Sequence, residues 1–387
     1  MFQDMTKWKL KQVAAALLSS ILFLAINASA QTSTPSEAIA LEQQGKLAEA
    51  AKAWQAVIQK DPRDAAAFAS LGVILSKEQK YQEAASAYQK AIALNPKLPG
   101  MALNWGLAEF KQGHFQAAIS PLRAALIADP HNLQASTLLG LSYYGAKQFV
   151  EAIQYLGVPA KSDPSNSELQ EVLAQSCLWA KKYSCALNAF HQILHRNPDS
   201  APAHMLSGEA LDGLERTQEA IAEFEAAAKV SPREPNVHFG LGYLYWKSHR
   251  YDEAKREFES ELSIDPNHAL ALAYLGDIAT KNNNPDEALA LLRKAVGMKK
   301  DIRIAYVDLG AVLAHQKQYG EAIAALHHAV ELDPAEPDAH YRLAHVYQAM
   351  GNAEESQKEF AKVRELHEKG DQSLASKIST APPPLPQ

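Results

Sequence analysis

His191 and His195 stand four residues apart, a spacing at which one helix face can present two imidazoles to zinc. No third ligand accompanies them, so the pair reads as a solvated helix face rather than a metal site, and the adjacent His327 and His328 are a weaker signal still. The two cysteines, Cys177 and Cys185, lack the CxxC spacing of a redox centre. Gly240-Leu241-Gly242 looks like the start of a phosphate-binding loop, but no strand precedes it. Phosphate-loop, zinc-protease and serine-hydrolase motifs (GxxxxGK[ST], HExxH, GxSxG) are missing from the chain. The expectation is therefore a protein that is not an enzyme and needs no cofactor and no metal.

The elements that would position any site follow from composition and spacing. The chain has 387 residues, 47% of them hydrophobic and 21% charged, with a formal net charge of −6. Such a composition builds a large core, and its mild acidity argues against a nucleic-acid groove. Residues 1–30 differ from the rest. Lys7, Lys9 and Lys11 precede the apolar run Val13 to Ile26, and Ala28-Ser29-Ala30 offers a small-x-small cleavage pattern. This reads as a secretory signal peptide cut before Gln31, with an uncleaved membrane anchor as the alternative. The expected location is exported, periplasmic or secreted, with membrane contact only through that segment before cleavage.

Prolines recur at Pro62, Pro96, Pro130, Pro164, Pro198, Pro232, Pro266 and Pro334, in steps of 34 residues, with Lys300 filling the one vacant place. Twelve residues before each stands an alanine, from Ala50 and Ala84 to Ala322, and twenty-four before most stands a glycine, such as Gly72, Gly106 and Gly310. A fixed period of this length marks a repeat protein. Within one period, Phe68, Leu71, Gly72 and Leu75 share one helix face, as do Ala84, Ala87, Tyr88 and Ala91. The polar string between them predicts a turn, and the Asp-Pro or Asn-Pro pair ends the second helix, because proline has no N–H and bars helical backbone at the residue before it. Small residues at Gly72 and Ala84 are expected to face one another where the helices approach, with Phe68 and Tyr88 filling the space beside them.

The frame Leu241, Gly242, Tyr245, Ala254, Phe258, Pro266 resembles the tetratricopeptide repeat. Ten repeats fit residues 31–370, the first degenerate. Ala174 and Ala344 replace the glycine, Ser356 the second-helix alanine and Lys300 the proline. The resemblance implies an all-α fold, a right-handed superhelical solenoid of antiparallel helix pairs, whose inner face is lined by first helices and holds peptides or partner domains. The implied function is an exported adaptor or scaffold that binds a protein or peptide segment. The alternative is a non-catalytic subunit of an envelope enzyme complex such as a transferase. The two-carboxylate clamp of chaperone-binding repeats needs Lys and Asn where this chain has Ala69 and Val73, or Leu103 and Leu107. Residues 371–387, with their proline cluster, are expected to form a disordered tail of polyproline II character.

Cys177 and Cys185 lie near the end of a first helix and the start of its partner, equally far from the turn, where an antiparallel hairpin brings positions level. In an exported chain that placement favours a disulfide worth about 2.5 kcal/mol by loop-closure entropy; two buried free thiols are the alternative.

First-helix positions not required for hairpin packing can report on binding. They carry Leu103, Leu107 and Phe110, then Leu141 and Tyr144, then Glu168, Glu171, Glu209 and Asp212, then Phe239, Tyr243 and Trp246. An apolar stretch, an acidic stretch and an aromatic stretch would suit an extended partner with basic residues between apolar ones. Alternatively, the aromatics pack against neighbouring helices and the acids serve solubility.

Overall fold

The computed structural model describes residues 34–379. The stretch expected to be a signal peptide, and the last residues from 380 on, lie outside the described residues. Those described form twenty helices and no strand. They divide into two compact units after Ala180. The first unit holds α1 (Pro35–Gln43), α2 (Leu47–Lys60), α3 (Ala65–Lys77), α4 (Tyr81–Leu94), α5 (Met101–Lys111), α6 (Phe115–Ala128), α7 (Leu133–Gly145), α8 (Phe149–Ser162) and α9 (Ser167–Trp179). The second holds α10 (Tyr183–Arg196), α11 (Ala201–Gly213), α12 (Thr217–Val230), α13 (Val237–Lys247), α14 (Tyr251–Ile264), α15 (Ala269–Lys281), α16 (Pro285–Met298), α17 (Arg303–His315), α18 (Tyr319–Leu332), α19 (Pro337–Ala349) and α20 (Ala353–Ser379). Odd-numbered helices from α1 to α19 are the first helices of their pairs.

Every turn inside a pair uses one device. A residue in the left-handed region stands at Gly45, Gln79, Gly113, Lys147, Lys181, Glu215, His249, Asn283, Lys317 and Gly351, again in steps of 34. Within either unit, the amide after it reaches back to a carbonyl five residues earlier, as in Lys80 N to Leu75 O at 2.9 Å, which satisfies carbonyls that the helix end leaves open. Most of these residues are not glycine, so the turn is held by its hydrogen bonds against a steric penalty.

First helices begin on a capping side chain at the matching place in several periods. Asp64, Asn132, Asn166, Ser200 and His268 each accept from the amide three residues on. The same place holds Leu98 and Glu234 in two periods. There the helix starts later, at left-handed Gly100 or Asn236, and α5 and α13 are 11 residues long where α7 and α15 have 13.

Where Gly72 and Ala84 are expected to meet, the packing adds a third residue. The glycine lies under the large side chain sixteen residues later. A Cβ on Gly72 would come within 2.6 Å of the Tyr88 ring, on Gly106 within 2.5 Å of Leu122, and on Gly242 within 2.8 Å of the Phe258 ring. The alanine contributes a bare backbone beside it, as where Ala220 O lies 3.2 Å from the Cβ site of Gly208. Tyr88, Leu122 and Phe258 are fully buried in this way, so the hairpins that carry this glycine are locked by a large residue set into its notch.

Three periods add a polar latch between the two helices. His204, His238 and His340 each place Nδ1 at 2.6, 2.7 and 2.6 Å from Glu223, Glu257 and Glu359 on the partner helix. At the other end of the chain, α20 continues past Gly370 to Ser379, so part of the stretch expected to be irregular is helical.

Candidate functional site

In the second unit, α13 is positioned by a glutamate from its partner helix. Glu261 of α14 is 1% exposed, and its two oxygens accept from Asn236 N at 3.0 Å and Phe239 N at 3.1 Å. A helix N-terminus leaves its first amides without internal partners, and here a buried carboxylate from outside the helix takes two of them. Asn236 Oδ1 in turn accepts from His268 Nε2 at 3.0 Å, while His268 Nδ1 caps α15. The start of α13 is thereby tied to both following helices.

That anchoring sets the aromatic row. Phe239 packs on His268 with centroids 4.7 Å apart and on Tyr274 at 6.0 Å. Tyr243 and Trp246 both meet Tyr274, at 5.8 and 4.9 Å, and each other at 6.2 Å. All three expected aromatics thus lean on α15 and keep one half-exposed side. Burial, with Tyr243 and Asp277 adding to it, pushes the Tyr274 phenol up to about 12, so it remains a neutral wall.

Beneath the row lies a pair of buried acids. Asp277 accepts from Trp246 Nε1 at 2.5 Å and contacts the Lys281 ammonium. Asp308, on α17, is 4% exposed, and its Oδ2 has no hydrogen-bond partner among the described residues. Arg342 Nη2 of α19 approaches Asp308 Oδ1 at 3.7 Å. Burial, and then the charge of Asp277, raises Asp308 to about 7, with Arg342 and Lys281 opposing.

On the other side of α13 opens a cavity of about 210 Å³, lined by Met205, Glu209 and Asp212 of α11, Phe224 of α12, and Asn236, Phe239, Gly240, Tyr243 and Leu244. Four of the expected residues, Glu209, Asp212, Phe239 and Tyr243, therefore meet at one place, with Trp246 beside them. Asp212 is engaged by Lys247 Nζ at 2.7 Å. Glu209 has no ion-pair or hydrogen-bond partner among the described residues. It is reached by solvent yet crowded by the cavity walls, and that loss of water raises its pKa.

The expected residues of the first unit are placed differently. Leu103, Leu107, Phe110, Leu141 and Tyr144 are half-buried against the cluster around Leu122, Leu139 and Leu156. Tyr144 donates to Gln175 Oε1 at 2.5 Å and stacks on half-exposed Trp179 at 5.6 Å. Glu168 and Glu171 are exposed on α9, and Glu171 accepts from Gln175 Nε2 at 3.1 Å.

Sequence reasoning missed Glu261, Tyr274, Asp277 and Asp308, and considered Gly240 only as part of a phosphate loop. A usable signal existed for the two aspartates, which interrupt the otherwise apolar runs ALALAYLGDIATK and RIAYVDLGAVLAH. Of the residues weighed for chemistry, His191 and His195 are both exposed on α10, and no group of three potential metal ligands occurs among the described residues. Gly240 and Gly242 lie inside α13, under the rings of Phe224 and Phe258, which removes the phosphate-loop reading. Neither cysteine is a free thiol. No described helix is long and apolar enough to cross a membrane.

Antiparallel helix pairs repeated every 34 residues define a helical-repeat solenoid, a class whose extended faces serve binding. The chain belongs to the tetratricopeptide repeat family: that family's models match residues 36–99, 103–167, 173–235, 239–302, 275–337 and 313–376. Among solved structures, the Cut9–Hcn1 hetero-tetramer of the APC/C is 14% identical over 85% of this chain and 79% of that one, with a TM-score of 0.51. YrrB, described as a tetratricopeptide repeat protein with an unusual peptide-binding site, is 24% identical over 50% of this chain and 100% of that one, with a TM-score of 0.40. MamA from Desulfovibrio magneticus RS-1 is 24% identical over 44% of this chain and 97% of that one, at 0.39. At these identities the likeness concerns the fold. No curated protein matches the chain.

Proposed function

We propose that this protein is an exported, non-enzymatic adaptor that holds a protein or peptide segment against the first helices of its second unit. Family membership supports an interaction scaffold. The observation that carries the finer reading is the convergence of Glu209, Asp212, Phe239 and Tyr243 on one cavity, beside a half-exposed aromatic row. Aromatic anchors next to a polar rim are the usual composition of an energetic centre in an interface. A peptide-binding site in YrrB is in keeping with that reading. Export rests on the three early lysines, the apolar run and Ala28-Ser29-Ala30.

The test is capture of partners by crosslinking in the native envelope fraction, followed by affinity measurement on the partner identified. Trp246 holds buried Asp277, so its removal would also disturb the fold; Tyr243 holds no such group. Tyr243→Ala should weaken capture by at least about tenfold, the scale of a hot-spot aromatic, with helical circular dichroism unchanged. Undiminished capture by that folded variant would remove this face from the binding site. N-terminal sequencing of the secreted chain tests export, with Gln31 as the expected first residue.

A further inference from the structure

We propose that the cavity beside Gly240 is a receptor for one cationic side chain, a lysine or arginine of the bound segment. This rests on the reading that the second unit holds a peptide, and it states what that peptide must carry.

The places equivalent to Gly240 in the other periods of the second unit hold Leu206, Tyr274, Asp308 and Arg342. Only at Gly240 is there no side chain, and this lets the Phe224 ring lie against the helix beside the cavity. A Cβ there would strike the Phe224 ring, which rises against the bare helix backbone and forms the floor. Phe239 and Tyr243 stand one residue before and three after, as aromatic lining. The volume, about 210 Å³, is far beyond the ~10–15 Å³ that one water requires on a comparable measure.

Charge then selects the occupant. Asp212 already has Lys247, but Glu209 faces the cavity with no cation of its own. An anion would meet two carboxylates. A purely apolar side chain would exclude water from Glu209 and return nothing to it, an uncompensated desolvation. A lysine or arginine satisfies both demands: its methylene stem lies along Met205, Phe224 and Leu244, and its charged head reaches Glu209. The ring faces of Phe239 and Tyr243 add cation–π attraction. Burial already holds the Glu209 pKa above its ordinary value, as befits a carboxylate short of water and lacking a counter-ion.

The test uses the full chain and three small probes, the Nα-acetyl methylamides of lysine, arginine and norleucine, read by saturation-transfer NMR. At neutral pH the lysine and arginine stems should receive saturation from the protein's aromatic protons. Their affinity should exceed that of norleucine by about fivefold, the scale of a half-exposed ion pair. Glu209→Gln preserves the shape and should abolish the preference. The proposal is overturned if norleucine binds as well as the cationic probes, if Glu209→Gln retains the preference, or if neither cationic probe is saturated at about 10 mM. In the first two cases, loss of partner capture by Tyr243→Ala would leave the peptide reading standing without its cation.

Discussion

Helices α5 and α13 occupy equivalent places four periods apart, and they have become opposites. Both are shortened, and both start at a left-handed residue, Gly100 or Asn236. Leu103, Leu107 and Phe110 of α5 correspond to Phe239, Tyr243 and Trp246 of α13, and the notch glycines Gly106 and Gly242 correspond as well. Yet Asn104 stands where α13 has Gly240, Val73 where α11 has Glu209, Ala125 where α14 has Glu261, and Leu141 and Val172 where the buried acids Asp277 and Asp308 stand. The backbone lattice is the same, so a handful of substitutions at fixed register decides whether a face closes into an apolar cluster or opens into a charged, aromatic-lined cavity.

The largest effect should come from erasing the buried cap that only α13 possesses. Glu261→Ala, which makes the place like Ala125, leaves two amides without an acceptor and should destabilise the second unit by about 1–3 kcal/mol. Urea denaturation followed by tryptophan fluorescence measures it. A loss under about 0.5 kcal/mol would show that α13 stands without its tie, as α5 does.

Next comes the buried acid pair. The folded chain holds Asp308 at about 7, above the ordinary 3.8, so the folded state binds this proton more tightly than the unfolded state. The stability it contributes is therefore full below about pH 4 and is lost as the pH rises through about 7. Asp308→Asn should remove the decline in stability between pH 4.5 and 7.5. Identical pH slopes for the two proteins would mean that Asp308 titrates as an ordinary acid.

The smallest effect concerns the turns. Gly113 after α5 corresponds to His249 after α13, and both have φ in the left-handed region, at 75° and 61°. His249→Gly should stabilise the chain by about 0.5–1 kcal/mol, since glycine enters that region freely. The gain is reduced by loss of the 2.9 Å contact between His249 Nδ1 and the Tyr251 hydroxyl. A lower melting temperature would show that contact to outweigh the backbone strain.

The 34-residue spacing of proline, alanine and glycine was enough to read the helix pairs and their order, because those residues act locally, by barring helix or by letting two helices touch. The repeated left-handed turn was hidden, since Lys147, Glu215 and Lys317 carry no sign of it; hydrogen bonds to the preceding helix impose it. Glu261 was hidden for the same reason at longer range: it looks like any second-helix glutamate until α13 is placed over it. The continuation of α20 was missed because Gly370 looked like a stop, whereas no proline appears until Pro382. Of the candidate site, the aromatic row and Glu209 were legible as register positions. The cavity was not, because its walls come from three helices, α11, α12 and α13.

The ring of Phe224 has a further consequence. It fills the notch of Gly208 in its own hairpin and also presses on Gly240 of the next. One side chain is therefore the shared rivet of two successive folding units. In a repeat array, stability is a sum of each unit's own term and a nearest-neighbour term, and Phe224 belongs to the second kind. Anything bound over it is released when either hairpin opens. An occupant of that cavity would thus act as a local increase in cooperativity, making α11 through α14 exchange their amide hydrogens together while repeats elsewhere open one by one.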